Sequence, residues 1–168
     1  MEYNSLKLSP YSVDGMQTPG FNYGLFQDKL DNLPTNLVDF LLDSSVPDFI
    51  MNLTQKHVQL SIRGPDIARL IRDIVIGDVF VGDMPQELSR RLGTDLATSR
   101  EIANQIASQL FTPILEDIKK VQMVKFPGKL PAKPVSQPAP QVKPTETHYQ
   151  GEELPESGGN IIDLRSKS

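Results

Sequence analysis

The chain offers little raw material for catalysis. It has no cysteine and two histidines, His57 and His148, far apart in the sequence. Thiolate metal sites, cysteine nucleophiles and disulfides are excluded, and a histidine-based triad has almost nothing to draw on. Asp66, Asp73, Asp78 and Asp83 recur through one region, as a carboxylate pair or a cation site would require. Asp66 and Asp73, however, stand two helical turns apart and no histidine accompanies them. Capping and solvation account for these acids. No EF-hand, P-loop, dinucleotide fingerprint or zincin pattern is present. These residues predict no catalytic, metal or cofactor-binding group, and a protein that is not an enzyme.

A second chemistry, DNA recognition, has a better-specified pattern. Glu87-Leu88-Ser89-Arg90-Arg91-Leu92-Gly93 followed by Thr98-Ser99-Arg100-Glu101-Ile102 is similar to a helix-turn-helix, with Ser89, Gly93 and Ile102 at the expected spacing. Arg90, Arg91 and Arg100 would meet phosphates, and Arg100, Asn104 and Gln105 would reach base edges. Two positions depart from the pattern. Thr94 stands where an apolar residue should follow the glycine, and Ser99 stands where the second helix should bury a side chain. The net charge of −4 also disfavours nucleic acid as the partner.

A third chemistry is docking to another protein. Ile161-Ile162-Asp163-Leu164-Arg165 is an apolar cluster behind Gly158-Gly159 at the end of a proline-rich stretch. Ile162 and Leu164 alternate around Asp163, which suits a strand added to a partner's sheet. The expected function is a non-enzymatic interaction or scaffold module with this motif on a flexible tail. The alternative is DNA binding through residues 87–105.

The elements that must position these groups read as follows. The chain has 168 residues, 38 % of them hydrophobic and 14 of them proline, which fits one domain with an appended unfolded segment. Residues 1–23 lack a sustained period. They hold Tyr3, Tyr11, Phe21 and Tyr23, with Phe26 just beyond, and form an arm that either packs on the domain or docks a partner.

Residues 24–124 are helical in pattern. Pro34 opens a helix carrying Leu37, Val38, Phe40, Leu41 and Leu42. Ser45-Val46-Pro47 starts the next, with Phe49, Ile50 and Leu53. Gly64-Pro65-Asp66 starts another, whose Ile67, Leu70, Ile71, Ile74 and Val75 fall on one face. Arg69 and Asp73 are spaced as an i,i+4 pair on it. Val79-Phe80-Val81-Gly82 reads as a buried helix end or connector. A short helix with Leu88 and Leu92 stops at Gly93. Thr98 and Glu101 form a capping box for a last helix carrying Ile102, Ile106, Leu110, Phe111, Ile114, Leu115 and Ile118. Pro113 predicts a kink or break near Leu110.

A proline-started helix followed by an Ile-Ala helix occurs twice, at an offset near 35, so two helical hairpins packed face to face are one arrangement of the all-α bundle. Residues 125–168 read as a disordered, extended tail, with prolines at 127, 131, 134, 138, 140, 144 and 155. Lys125, Lys129, Lys133 and Lys143 come first along it, and Glu146, Glu152, Glu153 and Glu156 follow. No apolar run is long enough to span a membrane, and Met1-Glu2-Tyr3-Asn4-Ser5 does not begin a signal peptide, so a cytoplasmic setting is expected.

The run Leu88-Ser89-Arg90-Arg91-Leu92-Gly93, then Ala97, Ile102-Ala103, Ile106 and Leu110-Phe111-Thr112-Pro113-Ile114, resembles a segment of small helical proteins from candidate-phylum, small-genome bacteria. The ending Ile162-Asp163-Leu164-Arg165 resembles their low-complexity tails. Glu116 departs from the resemblance, standing where a basic residue is expected. The resemblance implies a helical fold and a bacterial cytoplasm. It implies no activity and carries over no catalytic residue.

Overall fold

The computed structural model describes residues 7–15, 18–57 and 60–129. Tyr3, His148, the proline-rich stretch from residue 130 and the motif Ile161 to Arg165 lie outside the described residues. Among the described residues the regular elements are helices and no strand occurs, so the domain is all-α.

Helix α1 is Tyr23–Asp31, opened by Asn22, whose side-chain oxygen accepts the Leu25 N–H at 3.1 Å. It buries Phe26 and Leu30. Helix α2, Thr35–Leu42, follows Pro34 directly. Pro34 sits one place before the expected first turn, and its carbonyl accepts from Leu37 and Val38. Helix α3, Ser45–Lys56, carries Pro47 and Asp48 near its start, where a missing N–H and a negative charge are both favoured. Helix α4, Gly64–Val75, has Pro65 in its first turn and buries Ile67, Ala68, Leu70, Ile71, Ile74 and Val75.

Val79 to Gly82 form a connector that is less buried than expected, half-buried through Val81 and exposed at Gly82, and it tightens into a 3-10 turn, Val81–Asp83. Helix α5, Met84–Leu92, ends at Gly93, whose φ of 70° is the left-handed conformation that only glycine adopts at little cost. Helix α6 is Leu96–Ile106 and helix α7 is Leu115–Lys125. Between them the backbone widens into a π-turn, Ala107–Phe111, and narrows to a 3-10 turn, Thr112–Ile114. This is the break expected from Pro113. The Thr112 hydroxyl donates to the carbonyls of Ala107 and Ser108, which lie at the break.

Twelve of these apolar residues are expected to point inward, and all twelve do. Leu41, Ile50, Ile67, Leu70, Ile71, Ile74, Leu88, Leu92, Ile102, Ile106, Leu110 and Ile114 are all buried in one apolar cluster. The two echoed units are helix pairs in contact, α3 with α4 and α5 with α6, and α4 also packs on α5. The arm joins the core as well, since Leu8, Tyr11, Val13 and Phe21 pack against it.

Two local expectations are corrected. The cap of α6 is Asp95, three residues before the expected Thr98. Its carboxylate accepts the Thr98 N–H at 2.9 Å and the Thr98 hydroxyl at 2.7 Å. An ionised aspartate outcompetes a hydroxyl for a helix N-terminus, and Thr98 lies inside the first turn. The Arg69–Asp73 pair does not form. Arg69 turns to Asp14 and Asp66, while Asp73 binds Arg72 and Arg91. Asp14 is buried, so its charge must be met by a partner, and the nearby guanidinium of Arg69 is drawn to it.

Candidate functional site

The four recurring aspartates are each held by cations. Asp66 binds Arg63 and Arg69, Asp73 binds Arg72 and Arg91, Asp78 binds Lys29 at 2.6 Å, and Asp83 binds Lys129 at 2.8 Å. Among the described residues no three metal-ligating side chains converge. His57 is half-buried at the end of α3.

The strongest electrostatic feature is one that the sequence reading missed. Asp14, from the arm, is buried and accepts hydrogen bonds from Arg69 Nε at 2.6 Å and from Arg72. Arg72 is itself buried. Its guanidinium also meets Asp73 at 3.0 Å and lies 5.5 and 5.7 Å from the ring centres of Phe21 and Phe26. Burial opposes ionisation of Asp14, but the hydrogen bonds and charges of Arg69 and Arg72 outweigh it and hold the carboxyl below its ordinary value. The ion pairs continue through Asp73 to Arg91 and Glu87. Arg90, hydrogen-bonded to Glu87, is the largest cause of that acid's lowered pKa. With all its charges matched, this cluster locks the arm and α1 onto α4. The signal in the sequence was Arg72, spaced i+4 from Ala68 and i−3 from Val75 on the buried side of its helix.

Gln122 is a second polar side chain buried in α7. Its amide nitrogen donates to the carbonyls of Ile74 and Val79, both at 2.9 Å, and its oxygen accepts the Val81 N–H at 3.1 Å. It thereby fixes the connector after α4 to α7. Gly77, with a φ of 79°, lies in that connector, and a Cβ there would meet Val121 Cγ1 at 2.9 Å and Lys125 Cγ at 2.8 Å.

The helix-turn-helix region is a real helix pair. Ser99 is fully buried although polar. Its hydroxyl donates to the Asp95 carbonyl and lies 2.8 Å from the Thr94 hydroxyl. The two residues that break the expected apolar pattern thus satisfy each other. Of the five residues proposed for nucleic acid, Arg91 is half-buried between Asp73 and Glu87, and Arg90 binds Glu87. Arg100 and Asn104 are exposed, and Gln105 is half-buried.

The last feature is apolar. A groove of about 580 Å³ opens between α1 and α7. Leu33, Ile76 and Val121 line it, together with Leu25 and Val124, which remain 60 % and 79 % exposed. Lys29, Lys120, Lys125 and Asp28 supply the charge along its lining. The sequence gives a weak signal for it. Leu115, Ile118, Val121, Met123 and Val124 share no single helical face, so α7 carries more apolar surface than one core can bury. Within the described residues no helix is long and apolar enough to cross a membrane. No protein-family model, curated protein or solved structure matches the chain.

Proposed function

We propose that the chain is a non-enzymatic protein-interaction or scaffold module whose folded part docks another protein in the α1/α7 groove. One observation carries this reading. Leu25 and Val124 belong to the two helices that wall a single groove, and both leave most of their apolar surface in water. Scattered exposed apolar residues need no explanation, but these two line one groove, where a single partner would cover both. The pairing of every recurring aspartate with a cation supports the non-enzymatic half of the proposal. The motif Ile161 to Arg165 is its second docking element, and a cytoplasmic setting goes with both. The DNA-binding alternative has less support, because Arg91 is tied to Asp73 and Glu87.

The test is site-specific photocrosslinking in cells that make the protein. A benzophenone amino acid replaces Leu25 or Val124 in turn, with exposed Ser45 and Thr112 as control positions. The proposal expects both groove positions to capture the same protein and the controls to miss it. No adduct from the groove, or the same adducts from all four positions, contradicts it.

A further inference from the structure

We infer that the occupant of the α1/α7 groove is an amphipathic helix with acidic residues flanking its apolar stripe. This rests on the docking reading above and names the partner's chemistry.

The walls set the shape of the occupant. Helix α1 has nine residues and α7 eleven, so they run about 14 and 17 Å at 1.5 Å per residue. A groove between them is no longer than that, which is room for at most two to three turns of a third helix. The described residues offer no strand edge to extend. A strand laid between two helices would leave its own N–H and C=O groups facing apolar side chains without partners. A helix satisfies its backbone internally and presents anchors at i, i+3, i+4 and i+7, the pattern that a helix-walled apolar groove selects.

Charge sets the composition. The whole chain carries −4, yet the groove is lined by Lys29, Lys120 and Lys125 against one acid, Asp28. Lysines therefore outnumber acids three to one among the side chains that an occupant would touch. Lys29 is held by Asp78 and Lys120 by Asp117, in pairs whose lysine ends are open to solvent. Water competes with such pairs, so a partner's carboxylate can replace either aspartate at little cost. Complementary charge at a rim steers encounter and rejects the wrong partner more than it adds affinity. A basic helix would add cations to a lining that already holds three lysines and one acid.

The experiment is a selection from a displayed library of helical peptides. Leucine is fixed at i, i+3 and i+7 and every other position is random. The bait is the full chain, and chains with Leu25→Glu or Leu25→Ser are the counter-baits. Both substitutions fall on an exposed side chain, and circular dichroism checks that each variant folds. The inference expects Asp and Glu to be enriched beside the leucine stripe, and at least a tenfold loss of affinity in either Leu25 variant. It also expects Lys120→Glu with Lys125→Glu to shift the selection toward Lys and Arg. No enriched sequence, neutral or basic flanks, or binding unchanged in the Leu25 variants overturns it. Crosslinks from Leu25 and Val124 to one partner, together with selected basic peptides, would keep the docking reading and end the acidic-helix assignment. A crosslinked species of twice the chain's mass would make a second copy the occupant and also overturn it.

Discussion

Helix α1 borders two regions that obey opposite rules. On one side Phe26 packs beneath the guanidinium of Arg72, whose charge is met by Asp14 and Asp73. On the other, Leu25 stands in water beside Val124. The first region buries charge and matches all of it. Among the described residues no buried side-chain nitrogen or oxygen lacks a partner. The second leaves apolar surface uncovered. A buried charge without a partner is costly, so a folded chain must complete that region by itself. Exposed apolar area costs less per group, so it can persist until a partner arrives. The difference separates what holds the fold from what the fold presents.

Five substitutions test that separation, beginning with the most costly. Ile71 and Ile106 lie in the fully buried core that supports both regions. Replacing either by Ala is expected to cost about 2–5 kcal/mol, read by chemical denaturation. A loss below about 1 kcal/mol would mean that the core is not packed as described.

Next comes Asp14→Asn, which leaves Arg72 buried with Asp73 as its remaining acid. The expected cost is about 3 kcal/mol at neutral pH, the low end for breaking a buried pair. The sign with pH follows from the lowered folded-state value of Asp14. Its contribution is complete above the unfolded value of about 3.9 and is lost as pH falls through the lower folded value. The natural chain should therefore lose stability faster than Asp14→Asn as pH drops below about 4. Parallel acid profiles would show that the cluster does not stabilise through Asp14.

Gly77→Ala probes the connector between the two regions. A positive φ disfavours any side chain there, and the new Cβ would press on Val121. A loss of about 2 kcal/mol is expected from the melting temperature. The smallest effect sharpens the comparison most. Leu25→Glu should change stability by less than about 0.5 kcal/mol, because the side chain is already largely solvated. If it destabilised the fold as strongly as Ile71→Ala, the groove would belong to the core.

The helices were legible wherever apolar residues recur at i, i+3, i+4 and i+7, as from Ile67 to Val75, and wherever proline or glycine punctuates them, as at Pro65, Gly93 and Pro113. The Asp14–Arg72 pair was not legible, because its partners stand 58 residues apart and one sits in an arm with no period. The cap of α6 is ambiguous in sequence, because Asp95 and Thr98 are both good capping residues. Only tertiary placement shows which one starts the helix. The candidate site was hidden for a related reason. Leu25 and Val124 each look like ordinary surface residues until α1 and α7 are set side by side. Thr94 and Ser99 show the converse. Read as failures of a motif, they are a matched polar pair inside the helix turn.

The α1/α7 groove, and not the α5/α6 helix pair, is the surface proposed to meet a partner. Hydrogen exchange of the full chain, with and without the tightest peptide from the library, tests it most directly. Slowed exchange is expected in residues 23–34 and 115–125, with residues 84–106 unchanged. Slowed exchange confined to residues 84–106, or no change in α1 and α7 while the peptide is bound, would contradict it.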